Sequence, residues 1–137
     1  MLDILYIPVV YLMFMETDKL TEKIINCAMD VHTALGHGLL ESAYKECLYY
    51  KLCKTGINAE KEKPLPIFYE GVNLDCGYRI DLLVEKSIVL ELKSVKKIED
   101  VHLAQLLTYL KLGKYKVGLL LNFNVTSLKD GIKRIVN

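Results

Sequence analysis

The sequence predicts an α/β fold in which helices flank a mixed central β-sheet. Apolar residues recur at helical spacing in the first third of the chain, and the middle switches to short, β-branched segments bounded by Gly and Pro. A further helical segment then precedes a nearly continuous aliphatic run, which is typical of a strand covered on both faces. With 137 residues, 52% hydrophobic and 26% charged, the chain is expected to form one compact domain.

Four helices are expected. The first begins with Thr21 as its N-cap and ends at the glycines around His37. The second covers about 39–54 and the third about 98–112, each followed by a glycine that ends it. A short helix over 127–136 is expected to close the chain.

Six strands are expected around the third helix. Pro64 and Pro66 place the part with the first three strands at a sheet edge, because proline cannot donate a ladder hydrogen bond. Two later strands, which carry charged residues among aliphatic ones, are joined by a tight turn. The expected strands cover 57–62, 65–69, 72–74, 78–84, 87–93 and 115–123.

Residues 1–16 are predicted to be an apolar extension of a domain at 17–137. Residues 1–14 are too few for a membrane-spanning helix, and Pro8 interrupts them. Asp3 stands where a signal peptide would carry basic residues. We interpret the segment as an optional extension upstream of a usual start at Met15, with a peripheral membrane anchor as the alternative.

Composition limits the classes of function. A net charge of +1 gives no general basic field for coating nucleic acid, although a bound metal would add local positive charge. The four cysteines form no CxxC pair and are expected to be small buried hydrophobes, which fits a reduced, cytoplasmic setting. With the three histidines they make no zinc pattern.

Asp81, Glu91 and Lys93 are the strongest candidates for chemistry. Side chains alternate along a strand, so Glu91 and Lys93 face the same side, and a register that pairs Asp81 with Glu91 brings all three together. Two carboxylates and the Leu92 carbonyl suit Mg²⁺ or Mn²⁺, while Lys93 would orient or deprotonate a water. The alternative is that Glu91 and Lys93 are neighbours on a solvated strand face and that Asp81 is an acid near a turn.

Other candidates surround this motif. Gln105 and Tyr109 share one helix face and are expected to be buried opposite the acids, where they could bind phosphate or position water. The alternative is a tyrosine that packs the helix and a glutamine on the surface. Glu41, in the first turn of a helix, could be a further metal ligand or a favourable partner of the helix dipole. Candidate nucleic-acid contacts are Arg79, Lys96 and Lys97, with a solvated surface as the alternative.

The chain resembles the GxxExxY proteins of the PD-(D/E)xK nuclease superfamily. The resemblance is carried by Gly38–Tyr44, Gly77–Asp81, Glu91–Lys93, Gln105–Leu110 and Asn122–Val125. It implies a restriction-endonuclease-like core, with Asp81, Glu91 and Lys93 as the triad, Glu41 as the helical acid, and Gln105 and Tyr109 as the QxxxY element of RecB-like nucleases. Ile80 stands where the superfamily motif has proline, and no iron–sulfur cluster is expected.

The resulting hypothesis is a magnesium-dependent nuclease that acts on DNA. A nuclease fold that binds nucleic acid or protein with little turnover is the first alternative, and a partner of the membrane surface is the second. The sequence predicts no membrane span and leaves a homodimer open.

Overall fold

The computed structural model describes the backbone of residues 9–137 and the side chains of residues 18–137. A five-stranded mixed sheet has the order β1-β4-β5-β6-β7, and only β5 and β6 run parallel. A separate hairpin, β2–β3, lies between β1 and β4 along the chain. The strands are β1 Ala59–Pro64, β2 Ile67–Tyr69, β3 Val72–Leu74, β4 Arg79–Val84, β5 Ile88–Lys93, β6 Val117–Asn122 and β7 Ile132–Val136.

Helices cover both faces of the sheet, so the predicted α/β, restriction-endonuclease-like architecture is confirmed. On one face, α1 and α2 bury aliphatic side chains together with Phe123. On the other face, α3 packs against Leu83, Val89 and Leu120. Gly118 permits close contact there, because a Cβ at this position would lie 2.9 Å from Leu106. The helices are α1 Val9–Leu35, α2 Glu41–Lys54 and α3 Asp100–Gly113.

The start of the first helix differs from the prediction. Thr21 lies inside α1 and is buried, so the N-cap assignment is wrong. The helix continues through residues 9–20 because that stretch contains neither proline nor glycine. The predicted extension at residues 1–16 stays a prediction, and residues 1–8 lie outside the described part of the chain. Within residues 9–137, no helix combines the length and apolar character needed to cross a membrane.

The prediction of a closing helix at 127–136 is also wrong. A short 3₁₀ turn, Leu128–Gly131, leads into β7, which pairs antiparallel with β6 from Leu121↔Ile132 to Val117↔Val136. Pairing covers the outer edge of β6, and the β-branched residues of this segment suit a strand.

The other expected elements agree within a few residues, and β1 lies at the sheet edge as Pro64 predicts. The prediction that the cysteines are buried is confirmed only in part. Cys27 is buried, but Cys53 and Cys76 are exposed, and all four are free thiols.

Candidate metal-binding active site

The hairpin of β4 and β5 has the predicted register. Leu82 pairs with Leu90 and Val84 with Ile88, which leaves the three-residue turn 85–87. Continued by one residue, this register sets Asp81 opposite Glu91. The two acids therefore lie at the same end of neighbouring strands, in the middle of the sheet.

At Asp81 and Glu91, side chains replace the backbone ladder. The Asp81 N–H donates to Glu91 Oε1 at 3.3 Å, and the Leu92 N–H donates to Asp81 Oδ2 at 2.9 Å. Both acids thus turn toward a common space between the strands.

Two negative charges in this space are energetically unfavourable, because the carboxyl groups are largely removed from water. Glu91 is 7% exposed. Burial, followed by the charge of Asp81, raises the pKa of Glu91 to about 9. Burial also raises the pKa of Asp81, against the Leu92 N–H and the Lys45 ammonium, which lower it. The pair therefore retains a proton at neutral pH unless a cation compensates the second charge.

The oxygen atoms here fit a hard divalent cation. In a strand, the N–H and C=O of one residue point to the same side. Because the Leu92 N–H points to Asp81, the Leu92 carbonyl also points toward the β4 side. Two carboxylates and one carbonyl leave room for the waters that Mg²⁺ retains. Among the described residues, no three His, Cys, Asp or Glu side chains form a potential metal cluster.

Glu41 lies near this pair without joining it in such a cluster. Burial raises the pKa of Glu41, the Lys93 charge lowers it, and the Asp81 charge raises it again. The charges of Lys93 and Asp81 therefore act on the Glu41 carboxyl group. Its role as a metal ligand stays a prediction.

Tyr44 positions the start of α2. Its hydroxyl donates to the Gly36 carbonyl at 2.5 Å and accepts from the Leu39 N–H at 3.2 Å. The ring is fully buried and stacks on Phe123 with centroids 4.5 Å apart. The tyrosine of the GxxExxY pattern thus fixes the loop that precedes Glu41.

Gln105 and Tyr109 contact each other as their spacing predicts. Gln105 Nε2 donates to the Tyr109 hydroxyl at 2.9 Å. Burial raises the pKa of Tyr109, and the charges of Glu91 and Asp81 raise it further. Tyr109 is buried, but Gln105 is exposed, so the expected burial of both is wrong for the glutamine. Their catalytic role stays a prediction.

The predicted nucleic-acid contacts lie in different settings. Arg79 forms an ion pair with Asp75 at 3.1 Å. Lys96 and Lys97 are exposed in the loop after β5, and they line a concavity with Glu99 and His102. Within residues 18–137, neither lysine forms an ion pair. They are therefore available to a phosphate group.

His102 takes part in the N-terminal cap of α3. Its Nδ1 accepts from the Glu99 N–H at 3.0 Å. Asn122 was not singled out for a role of its own, but it is buried and clamps the loop after β5. Its side chain accepts from the Val95 N–H and donates to the Val95 carbonyl.

Lys45 is the charged residue that the sequence analysis missed. Its ammonium contacts Glu62, and its charge acts on Asp81 and Glu41. The available signal was its spacing of four residues from Glu41, which places both side chains on one face of α2.

Comparison with known proteins gives one match. The model of the PD-(D/E)XK nuclease superfamily matches residues 18–135. No curated protein matches the chain. No solved structure matches it.

Proposed function

Because the chain belongs to the PD-(D/E)XK nuclease superfamily, we propose that it is a metal-dependent nuclease that hydrolyses phosphodiester bonds in DNA. Membership in the GxxExxY group and a cytoplasmic location are parts of the same proposal. Free cysteines among the described residues support the location. A homodimer remains a prediction from the sequence.

One observation carries the proposal. Asp81 and Glu91 come from two strands, yet both carboxylates occupy one largely buried space, with hydrogen bonds to backbone N–H groups of the opposite strand. Such a pair is unfavourable for stability unless it has a partner of opposite charge. A divalent cation would be that partner.

The chain's own residues would have distinct roles. Asp81, Glu91 and the Leu92 carbonyl would hold Mg²⁺ or Mn²⁺, which when bound polarises a phosphoryl group and acidifies water. Lys93 would orient the attacking water, or as a neutral amine would receive its proton, as the water oxygen bonds to phosphorus. The P–O bond to the leaving sugar oxygen would break in the same step, and that oxygen would take a proton from solvent. Tyr109, kept neutral by its raised pKa, would donate a hydrogen bond to a phosphate oxygen, and Gln105 would hold its hydroxyl in place.

Substrate binding would depend on local positive charge. Lys96 and Lys97 would contact phosphates beside the acids, and Arg79 would do so if it exchanges Asp75 for a phosphate. A net charge of +1 gives little affinity for long duplex DNA. Ends, single strands or branched DNA are therefore the substrates that we propose.

The test is cleavage of a panel of labelled single-stranded, duplex and branched DNA, with RNA counterparts, in Mg²⁺ or Mn²⁺. Cleavage by the wild type and its loss in Asp81→Asn and Lys93→Ala are expected. Circular dichroism must show that both variants remain folded. Equal cleavage by either folded variant would contradict the mechanism.

One observation favours a second candidate, a binding module with little turnover. The described residues contain no cluster of three potential metal-binding side chains, so metal affinity would depend on two acids and a carbonyl. Calorimetric titration separates the candidates. Binding of an oligonucleotide without binding of Mg²⁺ or Mn²⁺ would favour the module.

A further inference from the structure

Lys45 is a partly buried cation near the candidate site that the mechanism above does not use. It lies one helical turn after Glu41 on α2, and its ammonium forms an ion pair with Glu62. The Lys45 side chain is 18% exposed, whereas that of Glu62 is 49% exposed. The lysine is therefore held at the edge of the site, while its partner faces solvent.

Glu62 has an unusual position on β1. The register pairs Lys61 with Leu82 and Lys63 with Ile80, so Glu62 lies opposite Asp81. At this point the ladder is interrupted, and Glu62 has φ of 53°. A left-handed backbone is unfavourable for a residue with a side chain. The interruption lies directly opposite the candidate catalytic aspartate.

The ammonium of Lys45 contacts Glu62, and the charges of Asp81 and Glu41 also interact with it. Glu62 comes from β1, Asp81 from β4, and Glu41 from the start of α2, and the charge of Lys45 acts on all three. A flexible lysine that can exchange an exposed carboxylate for another anion is suited to binding a phosphate as a point charge.

We propose that Lys45 is a phosphate-binding residue, which contacts a backbone phosphate of the nucleic acid next to the one held at Asp81 and Glu91. Without nucleic acid, the ammonium of Lys45 is paired with the Glu62 carboxylate. When the strand binds, the phosphate replaces Glu62, which turns to solvent. The proposal rests on the proposed function, because it requires a nucleic-acid strand at the two acids.

A purely structural tie between α2 and β1 predicts a different pattern of effects. If the ion pair only joins these elements, Lys45→Gln and Glu62→Gln should weaken binding equally through loss of stability. If Lys45 binds phosphate, the two variants should differ, since Glu62→Gln removes a competitor of the phosphate. Lys51→Gln is a matched control, because Lys51 lies on the same helix and pairs with Asp30 at 3.3 Å.

The experiment is fluorescence anisotropy of a labelled single-stranded DNA oligonucleotide, with Ca²⁺ in place of Mg²⁺, over a series of salt concentrations. Lys45→Gln is expected to weaken binding by roughly tenfold and to reduce the salt slope by about 0.7, the value for one phosphate contact on a single strand. Glu62→Gln is expected to bind equally or more tightly, and Lys51→Gln to match the wild type. Thermal unfolding checks that the variants are folded.

Two results would overturn the proposal: Lys45→Gln binding like Lys51→Gln, or Glu62→Gln binding as weakly as Lys45→Gln. The proposed function has a separate outcome. DNA binding that depends on Lys45, in a wild type that does not cleave, would remove the nuclease activity and keep the phosphate contact. Cleavage without any dependence of binding on Lys45 would do the reverse. Absence of binding to single-stranded, duplex and branched DNA would overturn both.

Discussion

The backbone N–H of Asp81 donates to Oε1 of the Glu91 side chain across 3.3 Å. The backbone ladder between these two strands ends at the neighbouring pair, Leu82 and Leu90. This contact couples the position of one acid to the charge of the other. The free protein therefore carries an unfavourable pair of carboxyl groups, and relief of that cost is available to a bound cation.

Replacing Glu91 with glutamine should stabilise the metal-free protein at alkaline pH. The pKa of Glu91 is raised from 4.5 to about 9, so the folded state binds a proton that the unfolded state has lost. The loss of folding stability that Glu91 causes is therefore absent below about pH 4.5, grows as pH rises, and is complete above about pH 9. We expect Glu91→Gln to gain at least about 1 kcal/mol at pH 8.5. Urea unfolding in EDTA at pH 5 and 8.5 measures this, and a gain that does not grow with pH would contradict it.

Tyr109→Phe should lower cleavage without unfolding the protein. The change removes the hydroxyl that accepts from Gln105 but keeps the ring that meets Tyr78 edge-on at 5.9 Å. Loss of one hydrogen bond to the reacting phosphate should reduce kcat by about 10²-fold. Tyr78→Phe is the matched control and should leave kcat unchanged. Equal rates in Tyr109→Phe and the wild type would remove Tyr109 from the mechanism.

Tyr44→Phe should destabilise the fold and also weaken activity. The Tyr44 hydroxyl satisfies the Gly36 carbonyl and the Leu39 N–H, and the variant leaves both without this partner. We expect a loss of about 1–3 kcal/mol in the free energy of unfolding. The loop before Glu41 should loosen, so kcat should fall even where the variant is fully folded. Denaturant unfolding and initial rates at low temperature check both effects, and unchanged stability would contradict the assigned role.

Local sequence signals predicted the geometry at the centre of the candidate site. The tight turn at 85–87 fixes the register of β4 and β5, and that register brings Asp81 to Glu91. The signals for a helix start near Glu41 predicted where α2 begins. The four-residue spacing of Gln105 and Tyr109 predicted their contact. Both signals depend only on neighbours in the chain.

Two of the errors have tertiary causes, whereas the error at Thr21 is local. The segment 132–136 is a strand because it pairs with the edge of β6, and the local sequence does not indicate where that edge lies. Thr21 has the residue type of an N-cap, yet α1 continues through it. The contact of Lys45 with Glu62 depends on how α2 lies over β1. Its spacing from Glu41 therefore indicated a shared helix face but not the acids that this face meets.

The central claim is that Asp81 and Glu91 hold one divalent cation. Titration of the protein with Mn²⁺ at pH 6.5 and 8, followed by calorimetry, tests it most directly. We predict one ion per chain, affinity that increases with pH because binding displaces the shared proton, and no binding at this site in Asp81→Asn. Mn²⁺ binding that is absent in the wild type, or equal in Asp81→Asn, would contradict the claim.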